Sequence, residues 1–425
     1  MTSSTLSRGA AMRALLSLAI GAFGIGMTEF VSMGLLPGIA EDLLPMQYQA
    51  SPEDAIGQAG ILISLYALGV VIGAPTIAAF VARFPRRTVI VWLVVALLVF
   101  NALTFILPTF GTVAVSRFLA GLPHGAYFGM AAVVAASLYG PERRGRAIAI
   151  VMSGLSVANL IGVPAGTLLG QHMGWRAAYG IVAIVFALAL VLIRISVPQQ
   201  QGDADSTFRR ELGIFRIGQV WFTLAIAGIG FGAFFAVYSY IATMVTEVAG
   251  AQEWVVPATL VAVGAGMVIG NFAGGALGDK SVRGTLLYGL VVLFAAGLAV
   301  GLVAENIGLL IGALFVFALT SATAVPAVQL RLFDVAQNYL AIASSLNHSA
   351  LNIGNSLGAA LGGAVIAAGW GYVAPAWVAA ALAAIGVVIA LIAFGAERRR
   401  TTQVIGELER EFDDRSVGTD TIPTV

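Results

Sequence analysis

Apolar runs of about twenty residues, each bounded by charged or turn-forming positions, follow one another along almost the whole chain. A helix rises about 1.5 Å per residue, so each run is long enough to cross a hydrocarbon core of about 30 Å. The runs predict helices near 14–36, 57–81, 88–107, 111–137, 147–169 and 175–196. Six more are predicted near 219–245, 256–278, 285–303, 308–330, 340–367 and 372–395. A polar stretch, 197–218, divides them six and six. The expected organisation is therefore an amino-terminal six-helix bundle (1–196), a cytoplasmic linker (197–218), a carboxy-terminal bundle (219–395) and a cytoplasmic tail (396–425).

The halves repeat. GAPTIAAFVARFPRRT (73–88) aligns without a gap to GNFAGGALGDKSVRGT (270–285), pairing Arg83 with Lys280 and Arg86 with Arg283. ANLIGVPAG (158–166) aligns to GNSLGAALG (354–362), pairing Asn159 with Asn355. The offsets, 197 and 196, agree to within one residue, which argues for a duplicated six-helix unit. Duplicated halves around a midplane site are a transporter architecture.

Composition narrows the class. Hydrophobic residues make up 59% and charged residues 10%, and the mean hydropathy is +0.94, far from a soluble domain. The small net charge, +1, conceals an asymmetry. In a twelve-span chain nearly every Arg and Lys falls on one side, including Arg8, Arg13, Arg87, Arg194, Arg216, Arg331 and the Arg398–Arg400 cluster. Arg117 and Arg176 are the exceptions. The positive-inside rule makes that side, with both termini, cytoplasmic. The first run is longer than a signal-peptide core and is expected to stay. The absence of cysteine excludes thiol chemistry and disulfides. His124, His172 and His348 are too scattered for a short metal motif, and no nucleotide or hydrolase signature occurs. The expectation is no enzyme, no cofactor, no metal and no nucleic-acid partner.

Few ionisable residues fall deep inside a span: Glu29, Arg117, His124 and His348, with Asp279 at a helix end. A charge at that depth is costly and is retained mainly where it pairs or works. Counted along their helices, Glu29 and Arg117 lie ~22 and ~21 Å from the cytoplasmic edge, so they are able to meet at one level. A carboxylate tuned by a guanidinium is suited to carry a proton. A static ion pair between helices 1 and 4 is the alternative, as is an Arg117 that bonds backbone carbonyls. His124 shares the face of Arg117 and reads as a proton relay or as a satisfied interior histidine. His348, Asn352 and Asn355 form a polar stripe at helical spacing, for substrate or for helix packing. Phe231, Phe234, Phe235, Tyr238 and Tyr240 on helix 7 suit an apolar or amphipathic ligand, or a packed neighbour. Gly162, Pro164 and Gly166 on helix 5 read as a bending seam or as tight packing.

Four stretches resemble the major facilitator superfamily, and within it the drug:proton antiporters of the arabinose-efflux-like and chloramphenicol-efflux-like kind. They are GMTEFVSMGLLPGIAEDL at helix 1, RFLAGLPHGAYFG at helix 4, SGLSVANLIGVPAGTLLG followed by GWR at helix 5, and SSLNHSALNIGNSLGAALGG at helix 11. The resemblance implies an all-α fold of twelve spans in two pseudo-symmetric bundles, in a bacterial inner membrane. It also implies alternating access about a cavity lined by helices 1, 4, 7 and 10. The helix 5 run looks like the antiporter motif, and Arg117 falls on an arginine linked to proton coupling. The helix 2–3 gating motif departs from its usual form: Ala82 stands where an aspartate is expected and Pro85 where a glycine is. Arg83 and Arg86 therefore lack their usual partner, and a charged latch would rest on the second copy, Asp279, Lys280 and Arg283.

The function implied is export, by a monomer, of a small drug-like or sugar-like compound in exchange for protons. Glu29, Arg117 and His124 would handle protons, and Phe234, Tyr238, Tyr240, His348 and Asn352 would contact substrate. A proton-symporting importer, a uniporter and a non-transporting receptor are the alternatives.

Overall fold

The computed structural model describes residues 7–81, 83–139, 144–202, 212–336 and 340–417, and among them all regular structure is helical. Among the described residues twelve helices are long and apolar enough to span a membrane. In the first half they are α1 (Arg8–Gly34), α2 (Pro52–Ile77), α3 (Arg86–Ile106), α4 (Phe110–Leu138), α5 (Ala149–Met173) and α6 (Trp175–Ser196). In the second they are α7 (Gly218–Tyr238), α8 (Val255–Gly278), α9 (Val282–Val303), α10 (Ile307–Ala336), α11 (Leu346–Trp370) and α12 (Ala374–Arg398). The start of α1, the end of α6, the start of α7 and the end of α12 share one face, called here the terminal side.

Local chemistry sets several boundaries. The Ser7 hydroxyl accepts from the Ala10 amide to open α1, and Ser281 does the same for Gly284 at α9. Gly174, at φ +86, makes the turn between α5 and α6 that a residue with a side chain resists.

The sequence repeat is also a packing repeat. Gly69 and Gly73 of α2 sit against the carbonyls of Phe118 and Leu122 on α4. Gly266 and Gly270 of α8 sit against those of Phe315 and Leu319 on α10, each residue 197 positions later. Only glycine permits backbones to approach so closely.

The halves meet on the side opposite the termini. There Met33 and Leu36 of the first half, with Ile56 and Ile63 of α2, belong to one continuous apolar core with the second half. The Ser64 hydroxyl donates to the Ser356 carbonyl (3.1 Å). Gly57 lies so near the Gly363 carbonyl that a β-carbon would come within 2.7 Å of it. On the terminal side the halves separate and leave a cavity.

Four boundaries differ from expectation. The acidic connection 37–56 is not an open loop: two short helices, Leu36–Leu43 and Pro45–Ala50, lead into a third helical piece, Pro52–Ala59, that begins α2. Each carries a proline in its first turn, where the missing N–H costs nothing. α10 runs on past 330, so Arg331 is buried in its last turns and reaches Glu397 at 2.5 Å. α12 continues unbroken into the tail as far as Val417. α7 ends at Tyr238, and the backbone then bends before a short turn, Ile241–Thr243.

Candidate functional site

Residues from α1, α4, α5, α7, α8, α10 and α11 line a cavity of about 480 Å³ between the halves, within the usual range for drug-sized ligands. Its walls reach Ala149 in the first turn of α5 and Phe272 near the end of α8, so its mouth is on the terminal side. Phe30, Phe231, Phe234 and Phe235 form an aromatic wall. The lining also carries polar side chains: Glu29, His124, His348 and the amides of Asn159, Asn347 and Asn352.

Glu29 is 6% exposed, and its carboxylate accepts a hydrogen bond from Asn355 Nδ2 of the opposite half (3.3 Å). The expected contact with Arg117 does not form; among the described residues no guanidinium lies within ion-pair distance of Glu29. Arg117 turns instead to the residue before it. Its Nη1 donates to Thr28 Oγ1 and its Nη2 to the Thr28 carbonyl, both at 2.9 Å. The guanidinium lies 4.3 Å from the Tyr66 ring and 5.2 Å from the Tyr179 ring. The Thr28 hydroxyl in turn donates to Asn101 Oδ1, and Asn101 Nδ2 to the Leu97 carbonyl (2.7 Å). Arg117 therefore ties α4 to α1 and α3. The counts along the helices put the two charges at one depth. Adjacent residues on a helix diverge by about 100°, which leaves Glu29 facing the cavity and Thr28 facing Arg117.

The other anticipated residues divide into those that reach the cavity and those that do not. His124 lines it, and its Nδ1 is hydrogen-bonded to the Tyr66 hydroxyl (3.0 Å). His348 lines it from the other half and stacks on Phe128, centroids 5.3 Å apart and planes 2° apart. Phe234 and Asn352 also line it, and Asn352 Nδ2 donates to the His348 carbonyl (3.1 Å). Tyr238 lies one layer behind, against Phe30 and Phe234. Tyr240 is not a cavity residue: it is fully buried by Gly60 and Gly363, and its hydroxyl donates to the Ala359 carbonyl (2.7 Å). Helix 7 bends after Tyr238, so Tyr240 leaves the face that the spacing assigned to it.

Gly162 and Gly166 pack against Phe23 and Val31 of α1, with Pro164 buried beside them. A π-type turn, Ala158–Gly162, precedes the proline, closed by a hydrogen bond from the Val163 amide to the Ala158 carbonyl. At the terminal side, the Arg83 guanidinium lies over Phe80 and Phe84, and Arg86 donates to Gln200 Oε1 (3.3 Å). Gln200 also accepts from Ser137 (2.9 Å), so the polar partner of Arg86 is an amide from the segment after α6. In the second half Arg283 pairs with Glu397 (2.9 Å), and Lys280 is exposed. The side chain of Asp279 lies outside the described residues.

Thr28, Tyr66, Tyr179 and Phe128 carried no sequence signal beyond being polar or aromatic in apolar runs. Asn355 was legible as part of a stripe and as the repeat partner of Asn159, but not as a partner of Glu29. The amide oxygens of Asn159, Asn347, Asn352 and Asn355 are buried without a partner, which leaves hydrogen-bond acceptors in and beside the cavity.

The sequence profile of the Major Facilitator Superfamily matches residues 18–350 and 258–416. The inner membrane transport protein YdhP of Escherichia coli K12 is 40% identical over 359 residues, 84% of this chain and 90% of that protein. The chloramphenicol resistance protein of Streptomyces lividans is 28% identical, over 88% of this chain and 94% of its own. Among solved structures, an inward-facing, unoccupied bacterial homologue of the human lysosomal transporter Spinster superposes with a TM-score of 0.72. That likeness covers 91% of this chain and 98% of the other, at 17% identity.

Proposed function

The chain belongs to the Major Facilitator Superfamily of membrane transporters, and from that premise we propose that it exports a small amphipathic, drug-like or sugar-like compound in exchange for protons. The observation that carries this reading is Glu29: a carboxylate in the cavity wall, with no cation on it, bonded to an amide of the opposite half. Ionised, it accepts from Asn355 Nδ2. Protonated, it becomes a donor, and the unpartnered Asn355 Oδ1 is the acceptor at hand. Proton binding therefore rewrites a contact between the two halves. That is what coupling to an alternating-access motion requires. The aromatic wall supports an amphipathic substrate, and the relative named for chloramphenicol resistance supports export of such a compound. His124 and His348, which line the cavity from the two halves and both contact the Phe128 ring, are further groups that substrate or protons would meet. The terminal side is taken as cytoplasmic, because the arginines concentrate there.

The test is transport by purified protein in proteoliposomes under an imposed pH gradient, with substrates first found by a thermal-shift screen of antibiotics, dyes and sugars. Glu29→Gln is expected to keep substrate binding and lose acceleration by the gradient. Transport that still follows the gradient in this variant would place the proton carrier elsewhere. The direction of movement in everted vesicles separates an exporter from an importer.

A further inference from the structure

Away from the cavity, the start of α1, the first turn of α3 and the last turn of α6 enclose a second cleft, of about 560 Å³, on the outer surface of the first half. Its lip is cationic. Arg13 projects from α1 and Arg87 from α3, beside Ser196 at the end of α6, and among the described residues no carboxylate lines it. Arg87 is oriented by one hydrogen bond, Nη2 to the Arg194 carbonyl at 2.5 Å, while its Nε is buried without a partner. Arg13 is exposed and makes no hydrogen bond or ion pair among the described residues. Below the arginines the cleft is apolar and open to the bilayer: Leu16 is 50% and Ile195 73% exposed.

Two guanidinium groups from helices distant in sequence thus converge at the edge of the hydrocarbon layer with no anion among the described residues to neutralise them. A soluble phosphate would satisfy the arginines but leave the apolar floor without a role. A zwitterionic lipid would bring a cation of its own, and the described lining of the cleft offers no acid to receive it. A net-anionic headgroup with acyl chains attached fits both parts.

We propose that this cleft binds one anionic glycerophospholipid from the leaflet on the terminal side, its phosphate between Arg13 and Arg87 and an acyl chain over Leu16 and Ile195. The lipid bridges α1, α3 and α6 where they leave the membrane.

Delipidated protein in detergent is titrated with short-chain phosphatidylglycerol and followed by native mass spectrometry. One lipid is expected to bind with preference over phosphatidylcholine of the same chain length. Arg13→Gln with Arg87→Gln is expected to weaken it about thirtyfold, at about fivefold for each charge lost. Arg13→Lys with Arg87→Lys keeps the charges and is expected to retain most of the binding, which separates a lost site from a misfolded protein. Arg216→Gln removes an exposed arginine of the same side outside the cleft and is expected to change nothing. The proposal fails if the double Gln variant binds as the unaltered protein does, or if Arg216→Gln weakens binding equally. It also fails if phosphatidylcholine or inorganic phosphate binds as tightly as phosphatidylglycerol.

Discussion

Arg117 shows what a single side chain can be made to do where water is absent. Five N–H donors in a rigid plane allow it to hold the hydroxyl and the carbonyl of Thr28 together while lying between two tyrosine rings. A lysine keeps the charge but lacks the planar fork that meets both oxygens while its faces lie against the rings. Arg117→Lys is therefore expected to cost about 1.5–3 kcal/mol, the range for a hydrogen bond to a charged group, read as a lower melting temperature in detergent. An unchanged melting temperature would mean that the fork contributes nothing. The depth of this residue could be counted from the sequence, as could that of Glu29. The direction each faces could not, because it depends on how α1 is rotated against α4, and that is settled by packing rather than by spacing.

At the level of elements, the twelve spans were legible because each needs about twenty apolar residues in a row, and no other feature of the chain imitates that. The short helices after α1 and the early start of α2 were not, because Pro37, Pro45 and Pro52 read as breaks when each in fact lies in a helix's first turn. One of those helices is tied to α6: Asp42 accepts from the Trp175 indole (2.9 Å) and from the Arg176 guanidinium. Partial burial would raise the Asp42 carboxyl, but these bonds and the guanidinium charge hold it below the usual carboxylate range. A depressed folded value means that the contribution is complete above the unfolded aspartate value and is lost as pH falls through the folded one. Arg176→Gln should thus lower the melting temperature by a constant amount between about pH 7 and pH 5, and the difference should shrink below about pH 4. Both side chains are partly exposed, so the difference is small, under about 1 kcal/mol. A difference that persists unchanged in acid would exclude the carboxylate as its source.

For the molecule as a whole, the duplication was legible as a common offset, and the structure returns that offset in the glycine–carbonyl packing of α2 on α4 and α8 on α10. Which face the halves close was not legible, since both closures would use the same sequence. The closed face has a thermodynamic consequence for the proposed motion. Opening it would expose Met33, Leu36, Ile56 and Ile63 to water or substrate. That loss is tolerable only if comparable apolar area is withdrawn from water elsewhere in the same movement, and the cavity walls at the mouth are the surface available. Phe272 stands there 79% exposed, and covering such a side chain is worth about 1.5–3 kcal/mol. Phe272→Ser should therefore leave the present form intact and deprive the opposite form of compensation. Distances between spin labels on introduced cysteines would then show the terminal side open more of the time, and an unaltered distribution would mean that Phe272 stays uncovered in both forms. The exposed phenylalanine at the mouth is, on this account, a counterweight: area held in reserve on one face so that the other can be released.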